Sequence, residues 1–168
     1  GSVVDLQVDY ARSLTECEQL LSEHHHQYRV AVVDLSLPDA PDGEAVDMVL
    51  SFGIATIVLT GSLDSATHDR ISAKPIVDYV TKQHPGSIAI VQKSVQHTLR
   101  NMHCKVLLVD DSPSFRAYIK TILLTQRLQV IEAENGEAAL HEIEQQRDIS
   151  VVIADYDMPD MDGVSLCM

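Results

Sequence analysis

The chain has 168 residues, of which 45% are hydrophobic and 22% charged, and its formal net charge at pH 7 is −13. So large an acidic excess argues against nucleic-acid binding, because phosphate contacts need Lys and Arg. No apolar run approaches the length of a membrane span, and no signal-peptide pattern opens the chain. The cysteines, Cys17, Cys104 and Cys167, are odd in number and far apart, which favours a reducing, cytoplasmic location over a disulfide framework.

Short runs rich in Val, Ile and Leu recur along the chain, and most of them end in a carboxylate or a Thr. They cover residues 3–11, 30–35, 55–60, 76–81, 105–110, 128–132 and 150–155. Near-continuous apolar runs of this length are typical of parallel strands that are covered on both faces.

Amphipathic helical patterns alternate with these runs. Ser13 and Glu16 form a capping-box pattern, Ser112 is a candidate N-cap before Pro113, and Asn135 opens a turn into a further helix. The apolar stripes contain Leu14, Cys17, Leu20 and Leu21; Ala45, Val46, Val49 and Leu50; Ala66 and Ile71; Ile88, Val91, Val95 and Leu99; Phe115, Ile119, Ile122 and Leu123; and Leu140 and Ile143. The alternation predicts an α/β fold with right-handed crossovers.

The chain also repeats itself. The stretch AVVDLSLPDAPDG (31–43) and the stretch VVIADYDMPDMDG (151–163) share a strand ending in Asp, then an apolar residue, a Pro and an Asp-Gly turn. The first copy continues through further strands and helices, whereas the second stops at Met168, just inside its next helix. We therefore expect two copies of one unit that begin and end at different points of that unit.

Carboxylates follow two of the predicted strands: Asp110 and Asp111 follow one, and Asp155 ends another. The carboxyl ends of parallel strands form the ligand crevice of an open sheet. Three carboxylates there would repel one another unless a cation lies between them, and oxygen ligands favour Mg²⁺. A carboxylate beside Mg²⁺ can attack phosphorus and give an aspartyl phosphate.

In the first copy the equivalent carboxylate is Asp34, and two later strands end near Thr60 and Lys82. A hydroxyl and an ammonium group are suited to the other oxygens of a phosphoryl group. Taken singly, a strand-terminal Thr is more often a cap residue and a lone Lys is usually solvated, so the ordered combination carries the prediction.

With these motifs, both copies resemble receiver domains of two-component response regulators. The second copy has the acidic pair Asp110-Asp111, and DYDMPDMDG with Asp155 as phosphoacceptor. The resemblance implies that Asp111 binds Mg²⁺ directly, that Asp110 does so largely through water, and that the backbone carbonyl of Asp157 completes the ligands. It further implies a flavodoxin-like, doubly wound, five-stranded parallel sheet in the order 2-1-3-4-5.

For the first copy the resemblance implies that Asp34 is the phosphoacceptor and metal ligand and that Ser36 offers its carbonyl. Thr60 becomes the switch hydroxyl, Lys82 the phosphate-binding lysine and Tyr79 the switch aromatic.

The copies also depart from the family pattern. The first copy, taken as residues 3–101, lacks the first strand with its acidic pair, has an extra residue in PDAPDG, and has Gln83 where the family usually has Pro. The second copy, residues 105–168, lacks everything after its third strand. We therefore predict that residues 105–111 fill the vacant first-strand position of the first copy, within the chain or in a strand-exchanged homodimer.

The resemblance implies a phosphoacceptor module and not a turnover enzyme, although weak self-dephosphorylation is compatible with it. Its implied partners are a histidine kinase or phosphotransfer protein and an output domain after residue 168, such as a cyclic-di-GMP enzyme or a DNA-binding domain. Two alternatives stay open. One is an aspartate-nucleophile phosphatase using Asp155 and Asp157; the other is a first copy that is never phosphorylated and serves as an interaction or dimerisation platform.

Overall fold

The computed structural model describes residues 6–61 and 65–158, with the side chains of 65–68 left aside. Strands and helices alternate, which confirms the predicted α/β fold. In chain order they are α1 (Leu14–His24), a 3₁₀ turn (His25–Gln27), β1 (Val30–Asp34), α2 (Glu44–Ser51), β2 (Ala55–Thr60), α3 (Ser65–Ser72), β3 (Asp78–Thr81), α4 (Ser87–Asn101), β4 (Lys105–Val109), α5 (Pro113–Thr125), β5 (Gln129–Ala133), α6 (Gly136–Gln145) and β6 (Ile149–Ala154).

The chain divides into two compact units, residues 1–92 and 93–168. In the first unit, β1, β2 and β3 form a parallel sheet with β2 in the centre. The register places Asp34 beside Leu59 and Thr60 beside Thr81, so the strands end at one edge. The core contains Leu21, Val33, Leu35, Ala45, Val46, Val49, Ile54, Val58 and Ile71.

In the second unit, β4 is the central strand of a parallel sheet in the order β5-β4-β6. Its last four residues, 106–109, are buried, as expected for a strand covered on both faces. The core contains Leu107, Val109, Ala133, Ala139 and Met158. In the predicted order 2-1-3-4-5, the sheet β1-β2-β3 corresponds to the third, fourth and fifth strands. The sheet β5-β4-β6 corresponds to the second, first and third strands. Within the described residues, each sheet has three strands.

The prediction that 105–111 completes the first sheet within the chain is wrong. Both edges of β4 are hydrogen-bonded to strands of its own sheet, β5 and β6. These neighbours follow β4 directly in sequence, so they close shorter loops than pairing with β1 would, and shorter loops lose less entropy. Exchange between two molecules would require β4 to leave both of these neighbours, and the strand-exchanged homodimer stays a prediction.

The predicted strand over 3–11 is also not observed. Residues 6–11 carry no strand, and Leu6, Val8 and Tyr10 are exposed; residues 3–5 lie outside the described part of the chain. An alternating pattern specifies a strand only where another strand is available to pair with it.

The predicted helix starts are confirmed. The side chains of Ser13, Ser112 and Asn135 accept hydrogen bonds from backbone N–H groups three residues ahead, which satisfies donors that the first helical turn leaves unpaired. In a reciprocal capping box the Glu16 carboxylate would accept from the N–H of the N-cap residue, Ser13. Here it accepts from the N–H of Arg12, one residue earlier. Across the residues that the structure describes, no helix combines the length and apolarity needed to cross a membrane.

Candidate functional site

The three predicted carboxylates of the second unit meet at the carboxyl ends of β4 and β6. The parallel register pairs Val109 with Ala154, so the residues that follow each strand emerge side by side. The N–H of Asp155 donates to the carbonyl of Val109 at 2.9 Å, which continues the ladder into the site. The carboxylates of Asp110, Asp111 and Asp155 each offer an oxygen within 4.8 Å of the others.

The three carboxylates differ in exposure. Asp110 is buried, with 4% of its surface accessible, whereas Asp155 is half-buried and Asp111 is exposed. Asp110 Oδ1 accepts from the N–H of Ser112 at 2.8 Å, and Ser112 caps α5. The same turn therefore orients the buried carboxylate and starts the helix.

A half-buried arginine supports this turn. Arg116 on α5 donates from Nη1 to the backbone carbonyl of Asp110 at 2.6 Å, and its Nε lies 3.8 Å from Oε1 of Glu132. Its side chain is 14% exposed. Arg116 was not predicted from the sequence. Its place in the first turn of a helix directly after the acidic pair is the signal that could have indicated it.

These residues fit a magnesium ion. Each donor is a hard carboxylate oxygen, and the cluster brings three negative charges together, which a divalent cation would offset. Asp157, whose carbonyl is a predicted ligand, lies exposed two residues beyond Asp155. Its role as a ligand stays a prediction.

In the first unit, the predicted residues also come to one edge of the sheet. Lys82, directly after β3, forms an ion pair with Asp34 at the end of β1. Thr60 lies on the strand between them and is 3% exposed. Its carbonyl accepts from the N–H of Lys82 at 2.8 Å. Tyr79 is half-buried, packs against the core of this unit and lies beside Val58 in the register.

The loop after Asp34 is tied to the first helix. Ser36 donates its N–H to Asp34 Oδ1 at 3.2 Å, so this turn resembles the one at Asp110. Further along, Asp39 accepts from the N–H groups of Leu14 and Thr15 at 2.8 and 3.3 Å. These backbone N–H donors hold the pKa of the Asp39 carboxyl below its usual value. This contact joins residues far apart in the chain, so no local pattern indicates it.

The comparisons with known proteins fall on the second unit first. Residues 106–168 match the model of the family described as Response regulator receiver domain. This match supports a receiver domain in the second unit. The chemotaxis protein CheY1 of Helicobacter pylori is 40% identical over 63 residues, which are 37% of this chain and 51% of CheY1. The receiver resemblance is thereby supported on the residues that carry the acidic pair and Asp155.

A further relative is a much longer protein. The sensor protein TorS of Escherichia coli is 28% identical over 78 residues, which cover 46% of this chain and 8% of TorS. The chain thus spans about half of CheY1 and a small part of TorS. Such partial coverage leaves the activity of the whole protein to be proposed.

Two solved structures resemble nearly the whole chain. Both are described as two-component system response regulator/GGDEF domain proteins, and each is 36% identical to this chain. One gives a TM-score of 0.85 and the other 0.83, over 96% and 95% of this chain, and the chain covers 64% of each. Both units therefore share their fold with proteins described as response regulators.

Proposed function

We propose that this chain is a phosphoacceptor signalling module of a two-component response regulator, in which Asp155 receives a phosphoryl group. The observation that carries the proposal is the convergence of Asp110, Asp111 and Asp155 within 4.8 Å at adjacent strand ends. The receiver match at residues 106–168 supports the same role.

The chemistry follows from the placement of Asp155. It is half-buried at the strand end, so one carboxylate oxygen can meet a donor from solvent while the backbone stays fixed by the bond to Val109. That oxygen attacks the phosphorus of a phosphohistidine or an acyl phosphate. A P–O bond to Asp155 forms as the P–N or P–O bond to the donor breaks, and the donor departs with that electron pair.

The acidic pair prepares the site for a cation. Asp110, Asp111 and Asp155 would hold Mg²⁺ together with the carbonyl of Asp157, and the bound ion would neutralise charge on the phosphoryl oxygens. Asp110 is fixed by Ser112 and its backbone by Arg116, so little rearrangement is needed on binding.

We extend the role to the first unit, with Asp34 as a second phosphoacceptor. Thr60 and Lys82 would contact the phosphoryl oxygens, Tyr79 would reposition with Thr60, and Ser36 would be the counterpart of Asp157. The ion pair between Lys82 and Asp34 supports this assignment, because the ammonium group already lies beside the acceptor.

The proposed reaction needs a phosphoryl donor, and a signalling module needs an output domain. A histidine kinase or phosphotransfer protein would supply the phosphoryl group in the cytoplasm. A GGDEF domain after residue 168 is the output we favour, since that domain is named in both structurally similar proteins. We propose a regulatory module, with self-dephosphorylation as its own slow chemistry.

Labelling with acetyl phosphate and Mg²⁺ tests the proposal. The mass of the chain should rise by one phosphoryl group at Asp155, located by peptide mass spectrometry, and hydroxylamine should remove it as expected for an acyl phosphate. Asp155→Asn should abolish that label, and Asp34→Asn should abolish any label on the first unit.

Asp148→Asn is the matched control, because Asp148 is an exposed carboxylate of the same unit that pairs with Lys105. It should label like the unsubstituted chain. A label that persists in Asp155→Asn within residues 93–168, or that hydroxylamine leaves in place, would contradict the assignment of Asp155.

A specific observation favours a second candidate for the first unit, a receiver that is not phosphorylated and acts as an interaction platform. Within the described residues, the three-carboxylate cluster suited to a cation lies in the second unit. Absence of label on Asp34 under conditions that label Asp155 would decide for the platform.

A further inference from the structure

A side-chain hydrogen bond joins the two segments that follow β2 and β3 in the first unit, next to the proposed phosphate-contact residues. Gln83 donates from Nε2 to the carbonyl of Gly61 at 2.7 Å. Gln83 directly follows Lys82, and Gly61 directly follows Thr60. The bond therefore connects the residues that immediately follow the two phosphoryl-contact residues of the proposed function.

This bond extends the sheet beyond its last backbone rung. The N–H of Lys82 donates to the carbonyl of Thr60 at 2.8 Å, which is the final ladder bond between these strand ends. One residue later the chain turns, since the N–H of His84 bonds back to the carbonyl of Thr81. The Gln83 amide adds a side-chain bond at this end of the sheet, so the carbonyls of Thr60 and Gly61 both accept hydrogen bonds from the segment that contains Lys82.

The residue type matters for this contact. Gln83 occupies the position where receivers usually have Pro, and a proline side chain has no donor that could reach Gly61. The departure from the family pattern thus supplies a bond that the usual residue could not make.

We propose that Gln83 is a positioning residue that holds the Thr60 and Lys82 segments at a fixed spacing beside Asp34. It touches neither the acceptor nor a phosphoryl group; it acts through the backbone of Gly61. This role rests on the proposed phosphorylation of Asp34. With Gln83 in place, the buried hydroxyl and the ammonium group are arranged before a donor arrives, and such prearrangement accelerates group transfer.

Gln83→Met tests the role, since methionine keeps the length of the side chain and removes the donor. Gln83 and Gly61 are both exposed, so water competes for the bond and a moderate effect is expected. Hydrogen exchange measured by NMR should become faster at the Lys82 amide, about threefold to tenfold. Exchange at the Leu35 amide, which donates to the Leu59 carbonyl on the far side of β2, should stay unchanged.

The second measurement is the rate at which acetyl phosphate and Mg²⁺ label Asp34, followed by peptide mass spectrometry. Gln83→Met should slow it about threefold to tenfold, in step with the exchange. Gln83→Glu, which also lacks the donor, should slow it as well. Gln129→Met is the matched control, because Gln129 makes an equally short bond, 2.7 Å, to the carbonyl of Met102 in the second unit.

The two measurements separate the possible failures. Unchanged exchange at Lys82 in Gln83→Met would overturn the holding of the segments, whatever the labelling shows. Faster exchange with an unchanged labelling rate would overturn the positioning role alone. If the unsubstituted chain takes no label on Asp34, the proposed function fails at this site and the positioning role falls with it.

Discussion

Arg116 on α5 reaches back to the strand that precedes its helix, and its Nη1 donates to the backbone carbonyl of Asp110 at 2.6 Å. The same guanidinium lies 3.8 Å from the Glu132 carboxylate through Nε. The turn that presents the acidic pair is therefore held by the half-buried guanidinium of Arg116 as well as by the Ser112 cap. Because a charged donor in a mostly buried place stabilises its acceptor strongly, this contact makes a measurable contribution to stability.

Arg116→Met should lower the free energy of unfolding by about 1.5–3 kcal/mol, since it removes a charged donor and leaves the carbonyl of Asp110 without that bond. Urea denaturation measures the change. Glu132 keeps Lys120 as a partner, so the carboxylate is not left alone. Arg147→Met is the control, because Arg147 is exposed on the same unit. Equal effects of the two substitutions would contradict the role of Arg116.

Magnesium binding should depend on the carboxylates of the second unit. Asp111→Asn should weaken Mg²⁺ binding at least about tenfold, because an amide oxygen carries no net charge and is a poorer ligand. Titration calorimetry measures the affinity. Bound Mg²⁺ should also raise the Tm, since it binds the folded chain alone.

Asp148→Asn should leave that affinity unchanged, because Asp148 is outside the carboxylate cluster and pairs with Lys105. If it weakens binding as much as Asp111→Asn does, Mg²⁺ is responding to the overall acidity of the chain and not to the cluster.

The cap that Asp39 places on α1 should make the first unit sensitive to acid. The N–H groups of Leu14 and Thr15 lower the pKa of Asp39 in the folded chain. The stabilisation of the fold by this carboxylate is therefore complete above the pKa of the unfolded carboxyl, about 3.9. This stabilisation is lost as the pH falls through the lower pKa that Asp39 has in the folded chain. Asp39→Ala should therefore reduce the Tm by a few degrees at pH 7 and by progressively less below pH about 4.

Asp39→Asn serves as the comparison, because the amide keeps one acceptor oxygen and carries no titrating charge. Its Tm should lie between those of the unsubstituted chain and Asp39→Ala at pH 7. A Tm difference for Asp39→Ala that is the same at pH 7 and at pH 3 would show that the ionised carboxylate is not the stabilising group.

Local patterns predicted the elements of both units well. Apolar runs and capping residues act within a few positions, so a sequence displays them directly, and Ser13, Ser112 and Asn135 begin helices as expected. The carboxylate cluster was also predictable, because parallel strands bring their carboxyl ends to one edge and residues after those ends must meet.

Pairing partners were harder to predict. The buried pattern over 106–109 shows that β4 is a central strand, but either sheet could have used such a strand. Loop closure decides between them, and it depends on the whole path of the chain. Long polar side chains present a similar difficulty: the targets of Arg116 and Gln83 are backbone carbonyls, which every residue has, so no residue type reveals them.

The Asp-Gly turn of the first unit carries a backbone requirement that can be tested directly. Gly43 begins α2 with φ +87°, and a Cβ there would lie 2.8 Å from Cδ1 of Leu35. Leu35 is only 4% exposed and packs in the core, so it has little room to move. Gly43→Ala should lower the free energy of unfolding by about 2–4 kcal/mol, from the left-handed backbone and the overpacking together.

Gly53→Ala isolates the backbone part of this effect, because Gly53 also has a positive φ, +70°, yet has nothing within 4 Å of an added Cβ. It should cost only about 1–2 kcal/mol. Urea denaturation of both variants gives the difference, which is the contribution of the contact with Leu35. If that difference vanishes, Leu35 yields to the added methyl group, and the glycine of this turn is required for its backbone conformation alone.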